Sequence, residues 1–172
     1  GAGRNVSAAR EPAIVERSGI RFGFLAFNAI GETPAPESGS PGAVRIRMQP
    51  RTGPLNAADL RAMRASIRRL QDLADVVIVL PHWGEQYTYR AVPDQRRVAC
   101  ALLDAGADLV VGGHPHWVQG IEFHDGKFIA HSLGNYVFDM DFSTETREGV
   151  ILELVFWGSE LKAAELVPVV IG

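Results

Sequence analysis

Cysteine is nearly absent: 172 residues contain one, Cys100, which rules out an internal disulfide. It sits among Val98, Ala99, Ala101 and Leu102, where a thiol acts as a small hydrophobe. No neighbour in the local sequence would activate it as a nucleophile. No apolar run is long enough to span a bilayer, and no signal-peptide pattern opens the chain. A positive excess is missing too. Seventeen Lys and Arg stand against 20 Asp and Glu, for a net charge of −3, without the basic face that a nucleic-acid binder shows. Arg61, Arg64, Arg68 and Arg69 cluster, but on one predicted helix, as its solvated face. There are no internal repeats and no low-complexity tracts. An initiator Met is also lacking: the chain opens Gly1-Ala2-Gly3-Arg4-Asn5, which reads as the interior of a longer protein.

What is present is 47% hydrophobic and 22% charged, the composition of a globular protein. The length is enough for one domain with a sizeable core. Residues 12–17 and 20–27 are apolar and β-prone around Ser18-Gly19, which predicts a hairpin. Residues 28–54 are rich in Gly, Pro and Ser and predict a long loop, of the kind that often carries function. Asn56 can cap a helix in which Leu60, Met63, Ile67 and Leu70 form an apolar stripe. The run Val76–Leu80 is continuous and β-branched, as in a strand buried on both faces of a parallel sheet. Pro93 can open a second helix that Asp104-Ala105-Gly106 closes, followed by a short strand over 108–111. Strand, loop, helix, strand is an α/β signature. Beyond it, Asp125-Gly126 predicts a tight hairpin between 121–124 and 127–131, and 149–157 and 161–171 predict two further strands.

The histidines fall where this pattern places ligand sites. His82 follows the strand ending at Leu80; His114 and His116 follow the strand ending at Val111. Both groups therefore lie at the carboxyl ends of predicted parallel strands, the edge where open α/β sheets bind ligands. In His114-Pro115-His116, the proline is expected to hold the segment extended, so that both imidazoles point the same way. Gly112 and Gly113 are expected to let the backbone turn and approach a ligand closely. Neutral imidazoles in such an arrangement suit zinc, iron, manganese and related ions.

Other residues nearby leave two readings open. Glu85, three positions after His82, reads equally as a carboxylate that orients a ligand or as a loop carboxylate. Trp83 reads as packing. Asn135, after Gly134, can hydrogen-bond a ligand or satisfy turn backbone. His131 reads as structural and His124 as exposed, while Asp139, Asp141 and Glu145 read as solvated.

Four segments occur in a fixed order: Pro81-His82-Trp83-Gly84-Glu85, Gly106-Ala107-Asp108, Gly113-His114-Pro115-His116 and Ser132-Leu133-Gly134-Asn135. In order and spacing they resemble the bacterial capsule-synthesis protein CapA, or poly-γ-glutamate synthesis, family, within the calcineurin-like metallophosphoesterase superfamily. The resemblance covers nearly the whole chain and is most specific from His82 to Asn135. It implies an α/β fold, the C-terminal part of a four-layer α/β/β/α sandwich, with 1–172 forming a single unit of a longer domain. It also implies two divalent metal ions of the Mn, Fe or Zn class. His82 and His114 would be ligands of one ion and His116 a ligand of the other, with Glu85 and Asn135 as substrate-binding candidates. Two such ions can clamp a phosphate and activate a bound water.

The superfamily's Asp-rich first motif, bridging residue and Asn-His motif have no counterpart in these 172 residues. By the resemblance, an upstream part or chain supplies them. This chain alone is therefore expected to bind metal weakly and to lack hydrolase activity. The expected partners are that upstream part, an anionic capsule polymer and further copies of the chain itself, with no nucleic acid. The expected location is extracytoplasmic, at a bacterial cell surface. A non-catalytic role in capsule assembly, binding an anionic polymer or partner subunits, stays open beside the hydrolase.

Overall fold

The computed structural model describes residues 1–34 and 40–172; part of the predicted long loop, residues 35–39, lies outside them. In chain order the elements are β1 (Ala2–Gly3), α1 (Val6–Arg10), β2 (Ala13–Arg17), β3 (Ile20–Asn28), β4 (Gly42–Ala43), α2 (Ala57–Gln71) and β5 (Val76–His82). Then follow α3 (Pro93–Leu103), β6 (Leu109–Val111), β7 (Ile121–His124), β8 (Lys127–Ala130), α4 (Thr144–Arg147), β9 (Glu148–Trp157) and β10 (Glu160–Val170). A six-stranded sheet in the order β2-β3-β5-β6-β8-β7 forms the centre. Its four inner strands run parallel, and the antiparallel hairpins β2-β3 and β7-β8 close its two sides.

Strand periodicity sorts the side chains into two cores. Leu25, Phe27, Val77, Val79, Val110 and Ile129 point to one face and pack with Met63, Ile67 and Leu70 of α2 and with Val98, Leu102 and Leu103 of α3. Val76, Ile78, Leu109 and Phe128 point to the other, where Leu152, Leu154 and Phe156 of the β9-β10 hairpin and Leu161 cover them. The layers are therefore helices, sheet and hairpin, an α/β sandwich. Val76 and Val79 are fully buried and Val77 nearly so. Each is worth roughly 1.5–3 kcal/mol relative to exposure, which explains why this run lies at the centre of the sheet.

Local signals set the element ends. The Asn56 side chain accepts hydrogen bonds from the Ala58 and Asp59 amides and starts α2. Pro93 opens α3 at its first turn. Ser18-Gly19 and Asp125-Gly126 adopt the left-handed conformations that two-residue hairpin turns need (φ 52° and 77°, 48° and 78°). At Gly23 an added Cβ would lie 2.7 Å from Ala74 Cβ and 2.8 Å from Leu70 Cδ1, so its missing side chain sets how closely α2 approaches the sheet.

Two expectations need correction. β5 does not stop at Leu80 but runs through Pro81 to His82, held in register by β3 as far as Asn28, so His82 is a strand residue. The stretch from His114 to His116 is bent, not extended: His114 has φ 104° and His116 φ 61°. The physical reason is its anchoring to the loop after β5. The Gly113 amide donates to Pro81 O (3.0 Å), Gly113 O accepts from the Trp83 amide (3.0 Å), and Pro115 O accepts from the Tyr87 amide (2.9 Å).

Candidate functional site

The parallel strands bring His82, His114 and His116 to the same end of the sheet, as their positions in the sequence predicted. The His82 and His114 rings are 4.8 Å apart between centroids, and the His114 and His116 rings 5.9 Å. His114 is buried at 8% exposure, and its Nε2 has no hydrogen-bond partner.

Burial, then the neighbouring His82 and His116 and Arg51, holds the His114 imidazole down at about 4. His82 is exposed at the strand end, and partial desolvation by its neighbours and then His116 lower it too, against a smaller opposing pull from Glu32. Both rings are thus held neutral at physiological pH, with a lone pair free, the state in which imidazole binds a metal. Their ligand nitrogens are not gathered as one tight group. Among the described residues, the three metal-ligating side chains that come within 4.8 Å of one another are Asp104, His124 and Asp125, at the far end of the sheet.

The backbone is strained at this spot. Tyr87 (φ 58°), His114 and His116 take left-handed conformations without being glycine, whereas the other such residues among those described, Ser18 and Asp125, sit in hairpin turns. Non-glycine residues in that region cost free energy that surrounding structure must hold in place, and they concentrate at functional sites.

Of the two glycines before His114, one is required by packing, at Gly112. Neither has a positive φ. A Cβ on Gly112 would lie 2.4 Å from Trp83 Nε1 and 2.3 Å from His131 O, while one on Gly113 would meet nothing. Gly112 therefore makes room for Trp83, which is fully buried and donates from its indole to His131 O at 2.9 Å. This fixes the strand end that carries His82.

Asn135 joins the cluster: its Oδ1 lies 2.9 Å from His116 Nδ1. Glu85 does not visibly join. It is half-buried in the loop after β5, and among the described residues it makes no side-chain hydrogen bond or ion pair. His131 is buried, its Nε2 3.2 Å from Glu122 Oε1, and His124 is bonded to Asp104 at 2.7 Å. Asp139 and Asp141 are exposed.

Sequence reasoning missed the aromatic rim. Tyr87 stacks on His116 with centroids 6.1 Å apart, Phe138 lies 5.2 Å from the same ring, and Phe142 meets Tyr87 edge-on at 5.4 Å. Phe138 and Phe142 are exposed. The available signal was the run Tyr136-Val137-Phe138 and Phe142, interleaved with the more conspicuous Asp139 and Asp141.

Fold and site together define an α/β sandwich with an imidazole cluster at the carboxyl edge of its parallel strands. The model of the bacterial capsule synthesis protein PGA_cap matches residues 1–140, and the chain belongs to that family. It is 33% identical over 155 residues to the PGA biosynthesis protein CapA of Bacillus subtilis (strain 168), covering 89% of this chain and 37% of that protein. It is 31% identical over 154 residues to the capsule biosynthesis protein CapA of Bacillus anthracis, covering 89% and 35%. A probable polyglutamine synthesis accessory protein of Mycobacterium tuberculosis (strain CDC 1551 / Oshkosh) is 33% identical over 146 residues, covering 82% and 37%. The chain thus spans little more than a third of the length of these curated relatives. A crystal structure of a hypothetical protein from Thermus thermophilus shares the fold, with a TM-score of 0.57 at 15% identity over 94% of this chain and 62% of that one.

Proposed function

We propose that this chain supplies part of a metal-dependent, metallophosphoesterase-type hydrolase site to a protein of capsule or poly-γ-glutamate synthesis. The observation that carries the reading is the convergence of three imidazoles of which one, His114, has a buried nitrogen without a partner. An unpaired buried polar atom is costly; a metal ion would satisfy it. The donor set fits: imidazole nitrogens suit zinc, iron and manganese.

His82 and His114 would hold one ion and His116 a second, and the spread of their nitrogens favours two ions over one. When bound, such ions polarise a phosphoryl oxygen and lower the pKa of a coordinated water. The chain's own residues hold the His114 imidazole neutral by burial, orient His116 through Asn135, and fix His82 through Trp83. The remaining ligands, including a bridging carboxylate, would come from the part of a longer protein that the relatives' lengths imply. Extracytoplasmic placement and an anionic polymer as partner belong to the same reading.

The test is a phosphodiester and phosphomonoester assay on the full-length protein with added Mn²⁺ or Zn²⁺. Metal-stimulated turnover that His116→Ala abolishes is the expected result. Metal-independent behaviour, with saturable binding of an anionic polymer, would replace the hydrolase by an assembly role.

A further inference from the structure

Asn135 sits at the end of the Ser132-Leu133-Gly134-Asn135 turn and is 7% exposed. Its backbone is pinned against Gly149, where a Cβ would lie 1.7 Å from Asn135 O. Its side-chain Nδ2 donates to Thr146 O at 2.8 Å. Thr146 is itself fully buried and tied to Ser143, which accepts from its amide (3.2 Å) and from its hydroxyl (3.0 Å). A backbone carbonyl can only accept, so the amide nitrogen must face Thr146 and Oδ1 must face His116. That oxygen can also only accept. The contact at 2.9 Å between Oδ1 and His116 Nδ1 therefore requires the proton to be on Nδ1.

We infer that Asn135 is a positioning residue for His116: clamped by the Thr146 carbonyl, its amide holds the His116 proton on Nδ1 and leaves Nε2 as the nitrogen presented to a ligand. Tyr87 stacks on the same ring and Phe138 packs against it at a tilt of 49°. This is the role that partners of metal-binding histidines perform, setting the tautomer and ring orientation. The inference rests on the hydrolase reading for what Nε2 binds, but not for which nitrogen is free. It reassigns Asn135 from contacting substrate to acting through His116.

The experiment uses the full-length protein labelled with ¹⁵N-histidine and stripped of metal by a chelator, with the His116 resonances assigned by their loss in His116→Gln. Long-range ¹H–¹⁵N spectra of the wild type are expected to show neutral His116 protonated on Nδ1. Asn135→Asp gives up the donation to Thr146 O but keeps an acceptor beside His116, and is expected to keep the proton on Nδ1. Asn135→Leu removes the acceptor and is expected to release the proton toward Nε2, while the other histidine resonances stay in place as the check on folding. A wild type protonated on Nε2, or the same tautomer in Asn135→Leu, overturns the inference. Zinc titration of the same proteins separates the two readings. About a 10- to 100-fold loss of affinity in Asn135→Leu, restored in part by Asn135→Asp, is expected. A protein that binds no zinc refutes the hydrolase reading and leaves the tautomer result to stand or fall by itself.

Discussion

At the carboxyl ends of the parallel strands, His114 is buried with one ring nitrogen unpartnered. At the opposite end of the sheet, His124 is bonded to Asp104 at 2.7 Å, with Asp125 beside it. The second cluster is the tighter by distance, since the ligand atoms of Asp104, His124 and Asp125 all fall within 4.8 Å. His124 and Asp104 satisfy one another, however, and the Asp125 side chain is 89% exposed. Proximity alone is therefore a poor guide to a ligand site. The end with the looser cluster combines a buried, neutral imidazole at His114, left-handed backbone at three non-glycine residues and an orphaned nitrogen, none of which local pairing explains.

Substitutions can break this contrast. The largest effect is expected from His114→Ala and His116→Ala in the full-length protein: loss of metal-stimulated turnover, with zinc affinity falling by at least the roughly 10- to 100-fold typical of an outer-shell partner, as read by calorimetry. Gly112→Ala forces a Cβ against the Trp83 indole and the His131 carbonyl and should cost about 1–3 kcal/mol or more in urea unfolding. Gly113→Ala, with nothing within 4 Å of the added Cβ, should fall within about 0.5 kcal/mol of wild type.

His131 tests the same edge by pH. Burial lowers its pKa below the ordinary 6.5, with a smaller opposing effect from the hydrogen bond to Glu122. The unfolded chain therefore takes up the proton first on acidification. Its share of stability is intact above about pH 6.5, falls as pH drops below that value, and levels off once the folded imidazole is protonated. His131→Phe, which keeps an aromatic ring beside Trp83, should flatten that part of the urea-midpoint profile between about pH 8 and 5; an unchanged slope would count against it. Smallest of all, His124→Ala should change stability by about 0.2–1 kcal/mol and leave zinc affinity untouched. A drop in affinity there would invert the comparison.

Much of this was legible in the sequence because each signal was local. The Asn56 cap, Pro93, the Ser18-Gly19 and Asp125-Gly126 turns and the β-branched run at Val76 act through their own backbone and burial. The placement of His82, His114 and His116 at one edge followed from strand direction. What was not legible depends on contacts between distant segments. Pro115 favours an extended neighbour, yet the Trp83 and Tyr87 amides bind Gly113 and Pro115 carbonyls and bend the segment. The reach of β5 to His82 depends on β3, far away in the chain, whose Asn28 is its register partner. The link from Asn135 to His116 needs the Thr146 carbonyl, which no spacing rule places there.

The most direct test of the central claim is anomalous diffraction from crystals of the full-length protein soaked with Zn²⁺ or Mn²⁺. The account predicts anomalous peaks about 2.0–2.1 Å from imidazole nitrogens, one shared by His82 and His114 and another on His116 Nε2. Crystals whose ordered metal lies only at Asp104, His124 and Asp125, or nowhere, would contradict it.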